Sequence, residues 1–187
     1  MDWASRFILP FVEDFATEHL METTLRPFWL VWAAVGLTIA GAVCFTRGWL
    51  GAGLILLLLS TPLDLIAARL ATIRLKPFPA KMWSRLALWP ASGLALLAIG
   101  LWETRHGTGW GSIVAALTAC AFGEATRIEK AAMPTDGDVW LLSRRNAIFL
   151  AIPFALGGAW TAYLLAILTY AAFSFFIVQR VRHQEAS

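Results

Sequence analysis

Long apolar runs separated by short polar turns organise this chain from residue 28 onward. Segments 28–45, 49–67 and 86–102 hold a single charged residue between them. Each is close to the ~20 apolar residues that carry an α-helix across a bilayer. Segment 110–123 is shorter and reaches span length by continuing through Glu124 to Arg127. Residues 146–178 carry no charge. As one helix that block would run about 50 Å against a hydrocarbon core of about 30 Å, so it must fold back. Gly157-Gly158 is the expected turn, and Val139 to Leu142 lengthen the first of the two helices it creates. The pattern predicts an all-α integral membrane fold with six transmembrane helices.

Ahead of the first run, Trp3, Phe7, Phe11 and Phe15 recur every fourth residue, with Asp2, Arg6, Glu13, Asp14 and Glu18 on other faces. That spacing is the stripe of an amphipathic helix, here bent at Pro10. Its apolar face suits the membrane interface, and it suits equally the protein's own helices or a partner. The chain divides accordingly. Residues 1–27 form the interfacial helix, 28–182 the six-span domain and 183–187 a short tail. Pro10 and the acids behind it also interrupt any cleavable signal sequence.

Composition places this pattern in a class. Hydrophobic residues make up 59% of the chain and charged ones 14%, whereas a soluble domain carries about a quarter charged. Charge then orients the spans. Thirteen of the 15 Lys and Arg residues lie in the N-terminal arm, in the loops after spans two and four, or in the tail; only Arg47 and Arg105 lie in the alternate loops. The positive-inside rule therefore puts both termini in the cytoplasm of a multi-pass inner-membrane protein. The net charge of +3 follows from those loops and does not point to nucleic acid; the partner is the lipid bilayer. Trp29, Trp83 and Trp140 are expected at the inner interface, and Trp49, Trp102, Trp110 and Trp160 at the outer one. Cys44 and Cys120 fall toward opposite faces, so no disulfide is expected.

Asp64 is the one acid inside the apolar cores. A carboxylate in hydrocarbon costs roughly 2.5–3.5 kcal/mol on insertion scales, which marks it as a candidate site. On a helix, Thr61, Asp64 and Ala68 share a face, with Arg69 beside them. The stretch Asp64-Leu65-Ile66-Ala67-Ala68-Arg69, on the second of six spans, resembles the CDP-alcohol phosphatidyltransferase family. Those enzymes exchange CMP on a CDP-linked lipid or alcohol for an acceptor hydroxyl. Their pattern is Asp-x-x-Asp-Gly-x-x-Ala-Arg on span two and Gly-x-x-x-Asp-x-x-x-Asp on span three.

The resemblance implies a Mg²⁺ or Mn²⁺ ion with Asp64 as a metal ligand, since hard cations bridging a pyrophosphate need oxygen donors. It implies substrate binding by Arg69. At Ser143-Arg144-Arg145-Asn146 a softer likeness implies phosphate binding by Arg144 and Arg145, whose guanidinium forks match phosphate oxygens. A homodimer is compatible with it. The departures are as plain as the match. Thr61 stands at the first acid, Leu65 at the glycine, and the stretch from Lys76 to Trp102 holds no Asp. No catalytic residue is assigned.

The residues also carry other readings. Asp64 suits an anchoring pair with Arg69 or Arg85, while Arg144 and Arg145 suit the positive-inside rule. Glu124 is either a substitute ligand or an interfacial acid. His19, His106 and His183 are isolated, so no His/Cys metal site is expected. Three functions remain: a weakened phosphotransferase, a non-catalytic relative that binds a lipid or nucleotide headgroup, and an unrelated transporter or scaffold.

Overall fold

The computed structural model describes residues 26–73, 88–131 and 143–185. Its helices are α1 (Pro27–Thr46), α2 (Leu50–Ile73), α3 (Trp89–Glu103), α4 (Gly111–Ala131), α5 (Arg144–Leu156) and α6 (Trp160–Glu185), with a π-turn at Thr104–Thr108. No strand occurs among the described residues. The expected interfacial helix lies, apart from Arg26 and Pro27, outside the described residues, as do Val139 to Leu142 and the basic residues Arg74 to Arg85.

Among the described residues, three helices are long and apolar enough to cross a membrane: Pro27–Thr46, Leu50–Ala71 and Trp160–Gln184. The other three fall short for different reasons. α3 has 15 residues and α5 has 13, which at 1.5 Å per residue is about 20 Å. α4 is 21 residues long, but its second half carries Glu124, Arg127 and Glu129.

Two of the turns share one design. After α1, Gly48 takes φ +82°, its N–H donates to Phe45 O, and Trp49 N–H donates to Cys44 O. After α5, Gly158 takes φ +64°, its N–H donates to Ala155 O, and Ala159 N–H donates to Phe154 O. Both are Schellman caps, which need a residue without a Cβ penalty in the left-handed region. The apolar block 146–178 thus turns at Gly157-Gly158, where its length requires.

Small residues set the packing. α1 lies against α2 and α3, α4 against α6 and α3, and α5 bridges α2 and α6. Phe45, Ile99, Leu164 and Ile167 fill the centre among alanines. Trp160 differs from expectation. It stands at a helix end but is only 2% exposed, its ring edge-on to Phe45 at 5.4 Å between centroids. Trp29, Trp49 and Trp110 are exposed, as interfacial rings would be. Beside Trp160, Thr161 donates to the buried carboxylate of Glu103, so that acid closes the end of the bundle.

Candidate functional site

The Ser143-Arg144-Arg145-Asn146 segment starts a helix, and its first residue explains how. Ser143 is extended, at φ −110° and ψ 158°, and its hydroxyl accepts from Asn146 N–H at 3.1 Å. That N-cap satisfies one of the orphan donors of α5. It also fixes Arg144 and Arg145 on the first turn, where the helix dipole disfavours positive charge. Something else must hold them there.

Arg144 is held by three other helices. It is 7% exposed, and its guanidinium reaches across the bundle. Nε donates to Ser92 Oγ of α3 at 2.8 Å, while Nη2 donates to Thr38 Oγ1 of α1 at 3.0 Å and to Ser60 Oγ of α2. Each hydroxyl spends its own proton on its helix: Thr38 on Ala34 O, Ser60 on Leu57 O and Ser92 on Leu88 O. The oxygen lone pairs left over are what a guanidinium needs. One buried arginine thereby ties α1, α2, α3 and α5 together.

Asp64 completes the network. Its side chain is 8% exposed, and Oδ2 accepts from Arg145 Nη2 at 3.0 Å, with Arg144 Nη1 at 3.8 Å. The structure therefore brings together Asp64, Arg144 and Arg145, three of the four residues singled out from sequence. Arg69, the fourth, is half-buried five residues beyond Asp64, and Ala68 beside it is exposed. Thr61 is fully buried, with its hydroxyl directed at Leu57 O at 3.5 Å. Sequence reasoning missed Thr38, Ser60 and Ser92. The signal was available, since a hydroxyl inside an apolar run needs a partner or a backbone carbonyl.

The residues present do not fit a divalent cation at Asp64. Oδ2 of the carboxylate already faces two guanidiniums. Repulsion between unit charges at 4 Å is about 4 kcal/mol at an effective dielectric of 20, and a dication doubles it. Glu124, the other acid considered as a ligand, is paired with Arg127 at 2.8 Å. Among the described residues no group of three or more His, Cys, Asp and Glu side chains gathers to hold a metal.

Beside this network lies a cavity of about 380 Å³ among α2, α3, α4, α5 and α6. Its depth is apolar, with Leu57, Ile99 and Ile167 among the walls, while Ser92, Ser143, Arg144, Glu124 and Arg127 also line it. The described residues define a helical protein in which three helices have membrane-crossing character, with a buried Asp–Arg–hydroxyl network. No family model matches this chain, and neither a curated protein nor a solved structure does.

Proposed function

We propose that this chain is a six-span inner-membrane protein, both termini cytoplasmic, built on the plan of the CDP-alcohol phosphatidyltransferases and devoted to binding an anionic headgroup rather than to phosphotransfer. Six helices in sequence order, the Lys/Arg partition, and Asp64-x-x-x-Ala68-Arg69 on the second helix support the architectural part. The shorter α3 and α5 fit such a bundle, because neighbouring helices and local thinning of the bilayer accommodate short spans. Cysteine labelling from each side tests the topology: positions 105 and 187 should lie on opposite sides, and labelling of both from one side would refute it.

One observation carries the functional part: the carboxylate at the position of the family's second acid is engaged by two guanidiniums. A phosphotransferase needs that carboxylate for metal, and the positions of the acids that would share the ion hold Thr61 and span-three residues without a carboxylate. The arginines have instead the character of an anion site, arranged at a helix N-terminus whose dipole adds to their pull. Two assays test the reading. CMP release from CDP-diacylglycerol with Mg²⁺ or Mn²⁺ and candidate acceptors should stay at background; metal-dependent turnover abolished by Asp64→Asn would restore the catalytic reading. Native mass spectrometry from mixed bilayers should show phosphatidylglycerol retained over phosphatidylcholine, with the preference lost in Arg145→Gln. Equal retention of both lipids would refute headgroup binding.

A further inference from the structure

Two arginines share one carboxylate oxygen and hold it unequally. Arg145 Nη2 donates to Asp64 Oδ2 at 3.0 Å, while Arg144 Nη1 stands 3.8 Å from the same oxygen, an ion pair too long for a hydrogen bond. Nη1 is buried and makes no hydrogen bond. The rest of that guanidinium is committed elsewhere, Nε to Ser92 and Nη2 to Thr38 and Ser60. Arg144 is therefore pinned beside Asp64 with a donor group in reserve. Exposure separates the two arginines. The side chains of Arg144 and Asp64 are 6% and 8% exposed, and that of Arg145 is 22% exposed. Of the three, Arg145 is the one that offers surface to a ligand. Withdrawing a guanidinium from a buried carboxylate is costly unless another takes its place. Here another stands within about 1 Å of hydrogen-bonding distance.

We infer that Asp64 is an exchangeable counter-ion: an anionic phosphate headgroup draws Arg145 away, and the carboxylate passes to Nη1 of Arg144. The inference rests on the headgroup reading and supplies the regulation of that site. Without ligand, Asp64 occupies Arg145 in the headgroup's stead. With ligand, Arg145 donates to the phosphate, and the Asp64–Arg144 contact closes from 3.8 Å to hydrogen-bonding range. The carboxylate thus competes with the ligand. A residue that ordered the site for its ligand would act with the opposite sign.

Native mass spectrometry from bilayers of phosphatidylglycerol and phosphatidylcholine reads that sign. Asp64→Asn keeps the shape of the side chain and removes its charge. Retention of phosphatidylglycerol should then rise by about tenfold over wild type, the order expected when a like charge leaves the side of a bound anion. Unchanged or weaker retention in Asp64→Asn, with wild type still preferring phosphatidylglycerol and Arg145→Gln not, would overturn the exchange and leave headgroup binding standing. Equal retention of the two lipids by wild type would end both readings. Should Asp64→Asn not fold, combining it with Arg144→Gln removes the buried charge that lost its counter-ion. Retention should again exceed wild type, and retention at or below wild type would overturn the exchange. A parallel gain toward free glycerol 3-phosphate in phosphatidylcholine nanodiscs supports the exchange and assigns recognition to the phosphate itself; a gain confined to phosphatidylglycerol supports it and assigns the ligand to the bilayer. Stability tests the other half of the exchange. In phosphatidylcholine nanodiscs Arg145→Gln should lower the unfolding temperature far less than Arg144→Leu, because Arg144 takes up the carboxylate. Equal losses from the two variants would overturn the inference.

Discussion

Along the α1–α2 seam, Gly41 and Gly53 face each other so closely that a Cβ on either would stand 3.0 Å from the other's carbonyl oxygen. On the far side of the bundle, a Cβ on Gly93 of α3 would meet only the thiol of Cys120 at 3.6 Å, and the walls there enclose about 380 Å³. Both regions are rich in glycine and alanine. The outcome depends on what stands opposite. Where two small residues face each other, backbones touch and dispersion is recovered over the whole seam. Where Gly93 of α3 faces the thiol of Cys120 on α4, the walls leave space. Arg144 sits between the two regions. Its bonds to α1, α2 and α3 draw that half together, and its position on α5 makes it a wall of the cavity.

Breaking that link should have the largest effect on stability. Arg144→Leu removes three hydrogen bonds and the 3.8 Å ion pair with Asp64, and losing one partner of a buried ionic network costs about 3–5 kcal/mol. The loss should appear as a large drop in unfolding temperature in nanodiscs. Arg144→Lys should recover little of it, because a point ammonium cannot serve three acceptors on different helices. A near-native melting temperature for Arg144→Leu would mean the network does not hold the bundle.

The seam comes next. Gly53→Ala places a methyl 3.0 Å from Gly41 O and 3.1 Å from the Phe45 ring, an overpacking expected to cost about 1–3 kcal/mol. Gly93→Ala should change stability by less than about 0.5 kcal/mol, since nothing must move. Equal losses from the two substitutions would erase the contrast between seam and cavity. Between them in size, Ser92→Ala should cost about 1 kcal/mol by leaving Arg144 Nε without its acceptor.

Much of the helical framework was legible in the sequence, because span-length apolar runs and a glycine pair in an overlong run allow few folds. The turn at Gly157-Gly158 follows from length alone. Among the described residues, membrane-crossing length and apolarity are shown for three helices; α3 and α5 are short there and α4 has a charged second half. The site was legible in part. Asp64 was conspicuous as an acid in hydrocarbon, but Arg145, which donates to it, lies 81 residues away. No local pattern links them, and Arg69 and Arg85 were nearer in sequence. Arg144 and Arg145 were marked for phosphate, yet their burial and the hydroxyl ring around Arg144 depend on how four helices meet. Trp160, expected among the interfacial rings, is buried for the same reason: a residue at a helix end faces inward when the next helix end closes over it.

The central claim is that Asp64 serves as a counter-ion for arginine and not as a metal ligand. Electron paramagnetic resonance of Mn²⁺ titrated into the protein in nanodiscs containing CDP-diacylglycerol tests it directly, with Asp64→Asn measured alongside. The account predicts the same weak Mn²⁺ uptake in both proteins, at the level of the lipid phosphates alone. Stoichiometric Mn²⁺ binding that disappears in Asp64→Asn would contradict it.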